Sequence, residues 1–407
     1  MARKNCKLLA SRPCISLEYF RIFGQMQRVY CAIVFFLISA TTVWSQSYNP
    51  AIADLTFRVD SIYQKILEYE RLGVKRTGSF AFDSATKWLV NKYAEMGYDS
   101  QIDTFRVSSG ESYNIIIEQP GTLENKWIIV GAHYDSKAPS PGANDNGSGV
   151  IATLEIARQM QYVVSDYGIR IINFGAEEDG LLGSKHYVQN TLDRSEEIKL
   201  MFNLDQLGGT KGLDNGSIVC ERDERPSPEE NNAASWLATD TLMELIRLYT
   251  DLNPVIGPAF STDYIPFEDE GYVITGLYQE SSDPHYHTAS DITLNMDTEA
   301  TTQVIKGALA ATLYFSQIKE IASNDADRIE REVIYPNPAS NLAYIEGIGY
   351  QGWQLKVYNT YGQSVLSDEL SNKRFFDVST LPVGSYYVHI LNHENSIKRY
   401  AKLIIAR

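Results

Sequence analysis

Five side chains able to bind a metal ion are spread along this chain of 407 residues: His133, Asp145, Glu178, Asp205 and His287. Imidazole nitrogens and carboxylate oxygens suit Zn²⁺, and a bridging carboxylate lets five side chains hold two ions about 3.5 to 4 Å apart. Glu177 stands directly before one of them and can act as a base toward water that a metal ion has made acidic. The residue types and their order predict a hydrolase with two zinc ions.

Apolar runs that are typical of buried strands lead to three of these positions. KWIIVGA (126–132) precedes His133, RIINFGA (170–176) precedes Glu177, and LMFNLD (200–205) ends at Asp205. A single His-x-Asp or Glu-Glu pair is common in solvated loops. Ligands of open α/β sheets, however, bind beyond the carboxyl ends of the strands, so three strand ends that carry such side chains favour one shared site.

The remaining periodic segments predict the elements around that site. Helical spacing of apolar residues covers 53–72, 84–97, 147–163, 235–251 and 298–320. YNIIIEQ (113–119) is predicted to be a strand beside 126–132, joined to it by a turn at Pro120 and Gly121. Alternation of strands and helices predicts an α/β fold with a mostly parallel mixed sheet sandwiched by helices.

Four local motifs carry a resemblance to a known family: GAHYDSKAPSPGANDN (131–146), NFGAEEDGLLGSK (173–185), NLDQLGG (203–209) and DPHYHTASD (283–291). Over roughly 80–320 the chain resembles the co-catalytic zinc aminopeptidases of the bacterial leucyl aminopeptidase type, a family that includes glutamate carboxypeptidases and glutaminyl cyclases. The resemblance implies a zinc exopeptidase fold. It implies one zinc on His133 and Asp205, a second on Glu178 and His287, and Asp145 as the bridge.

The same resemblance assigns the catalytic pair. Glu177 corresponds to the general base, and Asp135 resembles the family carboxylate that orients the histidine ring and raises its basicity. It also places the last ligand directly before a threonine, which selects His287 over His285.

The chain departs from the family in one motif. Family members often have Ser-Asp-His, whereas this chain has Thr262, Asp263 and Tyr264. Two roles stay open for Tyr264, a donor to the tetrahedral intermediate or a packing aromatic.

The function predicted from these residues is a zinc-dependent aminopeptidase. It would hydrolyse N-terminal residues from peptide substrates through a metal-bridging hydroxide, with Glu177 as general base. Two alternatives remain, a glutaminyl-peptide cyclotransferase, which normally works with one zinc, and a non-catalytic binding protein on the same scaffold. Retention of the base beside all five ligand types argues against the second. The preferred N-terminal residue and the oligomeric state stay open.

The first 45 residues are predicted to be a signal peptide. The apolar run VYCAIVFFLISATTVW (29–44) follows Arg28 and is shorter than a usual membrane span, which favours a cleaved signal peptide over the alternative of an uncleaved membrane anchor. Stable membrane insertion is therefore not expected. Cleavage is predicted after Ser45, and the long leader favours Met26 as the true start. The zinc peptidase domain is predicted over 46–322. The formal net charge of −15 argues against nucleic-acid binding, which needs clustered Lys and Arg.

A second domain is predicted after a polar linker at 323–332. Short alternating strands between 333 and 407 indicate a small all-β sandwich. The motifs YPNP (335–338), VYNTYGQSV (357–365) and LPVGSYYVHI (381–390) resemble the C-terminal sorting domain of the Por, or type IX, secretion system. That resemblance implies the type IX machinery as a partner. It also implies export through the periplasm of a Gram-negative bacterium to the cell surface or medium.

Overall fold

The computed structural model describes residues 49–59, 61–161, 163–321, 334–345, 353–359, 364–370, 374–392 and 397–407. The predicted signal peptide at 1–45 and the predicted linker at 323–332 lie outside these residues. Within the described ranges, none of the helices combines the length and the apolar character that crossing a membrane requires.

Ten strands lie among the described residues between 49 and 321: β1 (Gln101–Val107), β2 (Gly110–Gln119), β3 (Lys126–His133), β4 (Val163–Ser165), β5 (Gly168–Phe174), β6 (Glu197–Leu204), β7 (Ser217–Arg222), β8 (Asn253–Pro258), β9 (Ile274–Gln279) and β10 (Ile318–Ile321). Eight of them make one sheet in the order β1-β2-β5-β3-β6-β9-β7-β8, while β4 pairs with β10. The central strands β5, β3, β6 and β9 are parallel, and antiparallel pairing joins β2 to β5 and β7 to β9. The predicted α/β class with a mostly parallel mixed sheet is confirmed.

Helices cover both faces of this sheet: α1 (Pro50–Phe57), α2 (Tyr63–Glu70), α3 (Phe80–Glu95), α4 (Gly147–Met160), α5 (Leu182–His186), α6 (Asn232–Tyr249), α7 (Ile265–Glu268) and α8 (Thr298–Phe315). Successive residues of a strand point to opposite faces. Accordingly Ile128 and Val130 of β3 join the core beneath α4 and α8, whereas Trp127 and Ile129 join a second cluster near α7. A strand covered on both faces is apolar throughout, which explains the continuous runs in the sequence.

Three sequence predictions differ from the structure. The helix predicted over 298–320 ends at Phe315, and β10 begins at Ile318. The segment 53–72 forms two helices, α1 and α2, instead of one. Val59 and Ile62 lie between the helices, and their side chains are buried in the same core, so burial of this segment does not require a continuous helix. The strands β2 and β3 are not neighbours, since β5 lies between them and pairs with both. All seven residues of β5 are buried, and an interior place in the sheet satisfies that apolar sequence.

The C-terminal region is all β: β11 (Ile334–Tyr335), β12 (Leu342–Ile345), β13 (Trp353–Tyr358), β14 (Ser364–Glu369), β15 (Phe375–Asp377), β16 (Gly384–Asn392) and β17 (Ile397–Ile405). Two antiparallel sheets, β11-β12-β15 and β14-β13-β16-β17, enclose a separate apolar core. In β13 the buried residues Trp353, Leu355 and Val357 alternate with less buried ones. This alternation is the pattern of a sheet with one face on the core, as predicted for an all-β sandwich.

Candidate metal centre

Neighbouring strands of the parallel part of the sheet bring the site together. His133 is the last residue of β3, Glu177 and Glu178 follow β5, and Asp205 follows β6 directly. Because β3 lies between β5 and β6, the three chain segments meet at one edge of the sheet.

Two further segments approach that edge from outside the sheet. Asp145 lies just before α4, whose first turn is capped by Asn146, since its Oδ1 accepts the backbone N–H of Gly149. His287 lies in the loop between β9 and α8. All five predicted ligands therefore come from different segments of the chain.

Their ligand atoms form two groups of three that share one residue. In the first, Nε2 of His133 is 3.2 Å from Oδ1 of Asp145 and 3.3 Å from Oδ1 of Asp205. In the second, Nε2 of His287 is 3.2 Å from Oδ2 of Asp145 and 3.1 Å from Oε1 of Glu178. We call these groups the His133 trio and the His287 trio. Asp145 offers one oxygen to each, as a bridging carboxylate would.

The trios fit zinc by distance and by donor type. Two ligands that bind one Zn²⁺ at about 2.1 Å in a tetrahedral arrangement lie roughly 3.4 Å apart, close to the separations within each trio. Oδ1 of Asp205 and Oε1 of Glu178 are buried and make no hydrogen bond within the described part of the chain. Buried carboxylate oxygens without partners are costly, so their convergence indicates a site for cations.

The charges of the trio residues are strongly interdependent. Burial disfavours the charged form of His133, but the carboxylates of Glu177 and Asp205 outweigh it and raise its pKa well above the usual value. Burial also opposes ionisation of Asp145, yet hydrogen bonds from His133 and His287 lower its pKa to about 2. For Glu178, burial and the nearby Asp145 charge raise the pKa to about 7. The pocket concentrates negative charge that a cation can neutralise.

Glu177 lines the same cavity but belongs to neither trio. Burial, followed by the charges of Asp263 and Asp205, raises the pKa of its carboxyl group well above the usual value, although His133 acts in the opposite direction. A carboxylate with a raised pKa beside a metal site suits proton transfer.

Asp135 holds the backbone that carries both glutamates. Its two carboxylate oxygens accept the backbone N–H groups of Glu177 and Glu178, each at 3.1 Å. Nδ1 of His133 lies 3.2 Å from the carbonyl oxygen of Asp135 but 3.6 Å from its carboxylate, which is longer than a hydrogen bond. Asp135 therefore contacts the histidine ring through its backbone and fixes the 177–178 turn through its side chain.

Three residues at the site have left-handed backbone conformations that side chains other than glycine rarely adopt. Ala176 before Glu177 has a φ of 57°, Gln206 after Asp205 has 51°, and His287 itself has 56°. Strain of this kind persists where the surrounding structure enforces it, often at functional sites.

Asp291 is a supporting residue that sequence reasoning missed. It is buried, and its carboxylate accepts the backbone N–H groups of Asn144 at 2.8 Å and Asp145 at 3.2 Å and the hydroxyl of Ser140 at 3.1 Å. Burial raises its pKa to about 7. Its place at the end of the DPHYHTASD motif is a weak signal, because the contact with Asp145 joins residues 146 positions apart.

The remaining candidates fall outside the trios. Nδ1 of His285 is 2.8 Å from the Ser290 hydroxyl oxygen, and His186 packs on Phe105 near the end of α5. Tyr264 is fully buried, and its hydroxyl donates to Oε1 of Glu221 at 2.8 Å while accepting the backbone N–H of Phe260 at 2.6 Å. The structure thus gives Tyr264 a packing and supporting position.

The cavity at the trios has a volume of about 260 Å³. Besides the trios and Glu177, its walls are formed by Gln206, Glu221, Phe260, Ser261, Thr262, Tyr278 and Tyr286. Thr262 donates its hydroxyl to Oδ2 of Asp205 at 2.8 Å, which leaves Oδ1 directed toward His133. Aromatic walls beside a polar floor suit an organic ligand that has both apolar and polar parts.

Both regions of the chain match known protein families. Residues 114–312 match peptidase family M28, and residues 333–406 match the secretion system C-terminal sorting domain. Aminopeptidase YwaD of Bacillus subtilis (strain 168) is 35% identical over 217 residues, which are 51% of this chain and 45% of that protein. The chain thus spans less than half of this relative.

Solved structures share the fold. BSAP, a zinc aminopeptidase from Bacillus subtilis, aligns with a TM-score of 0.56 and 20% identity over 66% of this chain and 99% of that one. The glutaminyl cyclase of Porphyromonas gingivalis aligns with a TM-score of 0.54 and 23% identity over 63% of this chain and 98% of that one. At sequence identities this low, the two alignments show a shared fold and nothing about function.

Proposed function

Because residues 114–312 belong to peptidase family M28 and residues 333–406 are a secretion system C-terminal sorting domain, we propose that this protein is an exported zinc aminopeptidase that removes N-terminal residues from peptides. The observation that carries the proposal is the position of Asp145, which offers one oxygen to each trio, with Glu177 beside both and part of neither. A second zinc-binding trio and a free base are more than metal storage or simple binding requires.

The His133 trio would hold one zinc ion and the His287 trio a second. Bound zinc supplies a Lewis acid for the substrate carbonyl and lowers the pKa of coordinated water toward about 7. The protein's own contribution is placement. Asp291 holds the backbone of Asp145, Asp135 holds that of Glu178, and Thr262 orients Asp205.

Glu177 would move the proton. In the proposed reaction a carboxylate oxygen of Glu177 takes a proton from the attacking water and delivers it to the nitrogen of the departing amine. The fixed backbone between Ala176 and Glu178 keeps this side chain at the cavity wall. General-base catalysis of this kind typically contributes 10²- to 10⁴-fold.

Donors for the oxygen of the tetrahedral intermediate would come from the cavity wall. The hydroxyl of Tyr264 is occupied by Glu221 and Phe260, whereas Tyr278 and Tyr286 line the cavity. Tyr286 stacks on His287 with ring centroids 3.7 Å apart, which places its phenol next to a proposed ligand. We therefore assign the donor role to a cavity tyrosine rather than to Tyr264.

Glutaminyl cyclisation is the competing reaction on this fold. The resemblance implies that cyclases normally work with one zinc, and two complete trios favour the aminopeptidase. The purified protein is assayed with aminoacyl p-nitroanilides, N-acetylated peptides and glutaminyl peptides, together with zinc analysis. We expect hydrolysis only of substrates that have a free amine. We also expect the metal analysis to give two zinc ions per chain. Release of ammonia from a glutaminyl peptide without shortening would contradict the proposal.

Export would follow from the C-terminal region. In a host with a type IX secretion system, the full chain should reach the cell surface or medium, and a chain that ends before residue 333 should accumulate in the periplasm. Equal export of both forms would remove the sorting role from this region.

A further inference from the structure

One carboxylate of the cavity has no role in the proposed reaction. Five acidic side chains line the cavity, of which three belong to the trios and Glu177 is the proposed base. The fifth, Glu221, belongs to no group of metal-binding side chains found among the described residues.

Glu221 is buried within the sheet. It lies on β7 opposite Gly276 of the antiparallel neighbour β9, and its exposed fraction is 1%. Oε1 accepts the hydroxyl of Tyr264, and Oε2 has no hydrogen-bond partner within the described residues. A Cβ on Gly276 would overlap Oε2. Glycine at this position leaves the space that the carboxylate occupies.

The described cavity wall offers Glu221 no lysine or arginine as a counter-charge. No Lys or Arg is among the described residues that line the cavity, and the nearby Asp205 charge adds repulsion. A buried carboxylate with one unpaired oxygen and no lysine or arginine beside it is unfavourable, so its presence points to a cation that arrives from outside.

The cavity walls suit a cation on an aliphatic chain. The rings of Phe260 and Tyr278 lie 5.7 Å apart by their centroids, and Tyr286 adds a third aromatic face. Aromatic rings pack against methylene groups and also attract ammonium and guanidinium groups. With Glu221 among these rings, the cavity has an apolar wall and a negatively charged end.

We propose that Glu221 binds a cationic nitrogen of the substrate's N-terminal residue. That nitrogen is either the α-ammonium group or the basic end of a lysine or arginine side chain. The inference rests on the proposed function, because it assumes that the N-terminal residue of a peptide occupies this cavity. It adds a specificity residue to the proposed metal centre and base.

Three related alcohols separate the two sources of positive charge. 1-Hexanol has no amine, norleucinol adds the α-ammonium group, and lysinol adds a side-chain ammonium to norleucinol. Dissociation constants for all three are measured by calorimetry on the full-length, zinc-loaded protein and on its Glu221→Gln variant. Glutamine keeps an oxygen that can accept the Tyr264 hydroxyl and removes only the charge.

The expected result is a selective loss of one preference. If Glu221 binds the α-ammonium group, the substitution reduces the preference for norleucinol over hexanol by about 10-fold or more. If it binds the side chain, the preference for lysinol over norleucinol falls by about the same factor. Unchanged preferences in the variant would overturn the inference.

Glu268→Gln is the matched control. Glu268 is likewise fully buried with one oxygen lacking a partner, but it pairs with Arg225 and does not line the cavity. This variant should keep both preferences, and an equal loss in both variants would also overturn the inference. Binding is measured without turnover. A protein that discriminates these alcohols but hydrolyses no substrate would therefore refute the proposed function and leave the role of Glu221 intact.

Discussion

The edge of the large sheet and the core of the C-terminal sheets differ in whether they bury charged side chains. At the sheet edge, the carboxylates of Glu178, Asp205 and Glu221 each have a buried oxygen without a hydrogen-bond partner among the described residues. In the C-terminal region, the core is built from apolar side chains such as Leu355 and Phe376. Burying a charge lowers stability, so buried charges are expected where a bound ligand offsets that cost. The C-terminal sheets, in which buried apolar residues alternate with exposed ones, have the pattern expected for folding alone.

Removal of the shared carboxylate tests this contrast most strongly. Asp145→Ala deletes an oxygen from each trio, so zinc binding at both should weaken and peptidase activity should fall below detection. The measurements are zinc content per chain and turnover of aminoacyl p-nitroanilides. Asp179→Ala, at an exposed acidic residue of the same loop region, is the control and should leave both unchanged. Full activity in Asp145→Ala would contradict the bridging role.

Replacement of the proposed general base should have the next largest effect on activity. Glu177→Gln should lower kcat by about 10²- to 10⁴-fold because proton transfer is lost. Zinc content should stay the same, since Glu177 belongs to neither trio. Loss of zinc together with activity would instead make Glu177 a ligand.

A smaller loss is expected at the supporting carboxylate. Asp291→Asn replaces one acceptor by a donor that faces the backbone N–H of Asn144 or Asp145. Zinc affinity should fall by about 10- to 100-fold, the range typical of residues that orient metal ligands. A competitive titration with a zinc chelator measures this change. Unaltered affinity would show that the Asp145 loop keeps its position without Asp291.

The smallest effect on activity is expected in the C-terminal region. Leu355→Ala empties a fully buried position in β13 and should cost about 2 to 5 kcal/mol of that region's stability. The kcat of the purified enzyme should stay within twofold, because the trios lie in the other region. A large fall in kcat would show that the two regions are not functionally separate.

Several features were predictable from local sequence. Continuous apolar runs located the central strands β3, β5 and β6, because strands buried on both faces need side chains that avoid water. Small residues and acids or histidines at the ends of those runs located His133, Glu177 and Asp205. The placement of β2 beside β3 was wrong, since proximity along the chain does not determine which strands pair.

The contacts of Glu221 and Asp291 had no local signal. Glu221 reaches the cavity because β7 runs antiparallel beside β9, and a run such as SIVCER does not reveal its neighbour. Asp291 reaches the Asp145 loop across 146 positions of the chain. Both positions carry acidic residues of a kind that also occurs on solvated surfaces.

The amino-acid sequence alone determined the residue types of the candidate metal centre, the strand ends that carry three of them and the all-β character of the C-terminal region. Periodicity and side-chain chemistry act over a few residues, so they are readable in one dimension. Tertiary structure alone decided that Asp145 lies between two histidines, that Tyr264 supports Glu221, and that Oε2 of Glu221 has no hydrogen-bond partner among the described residues. Those facts are distances between segments brought together by strand order and packing, which local propensity does not encode.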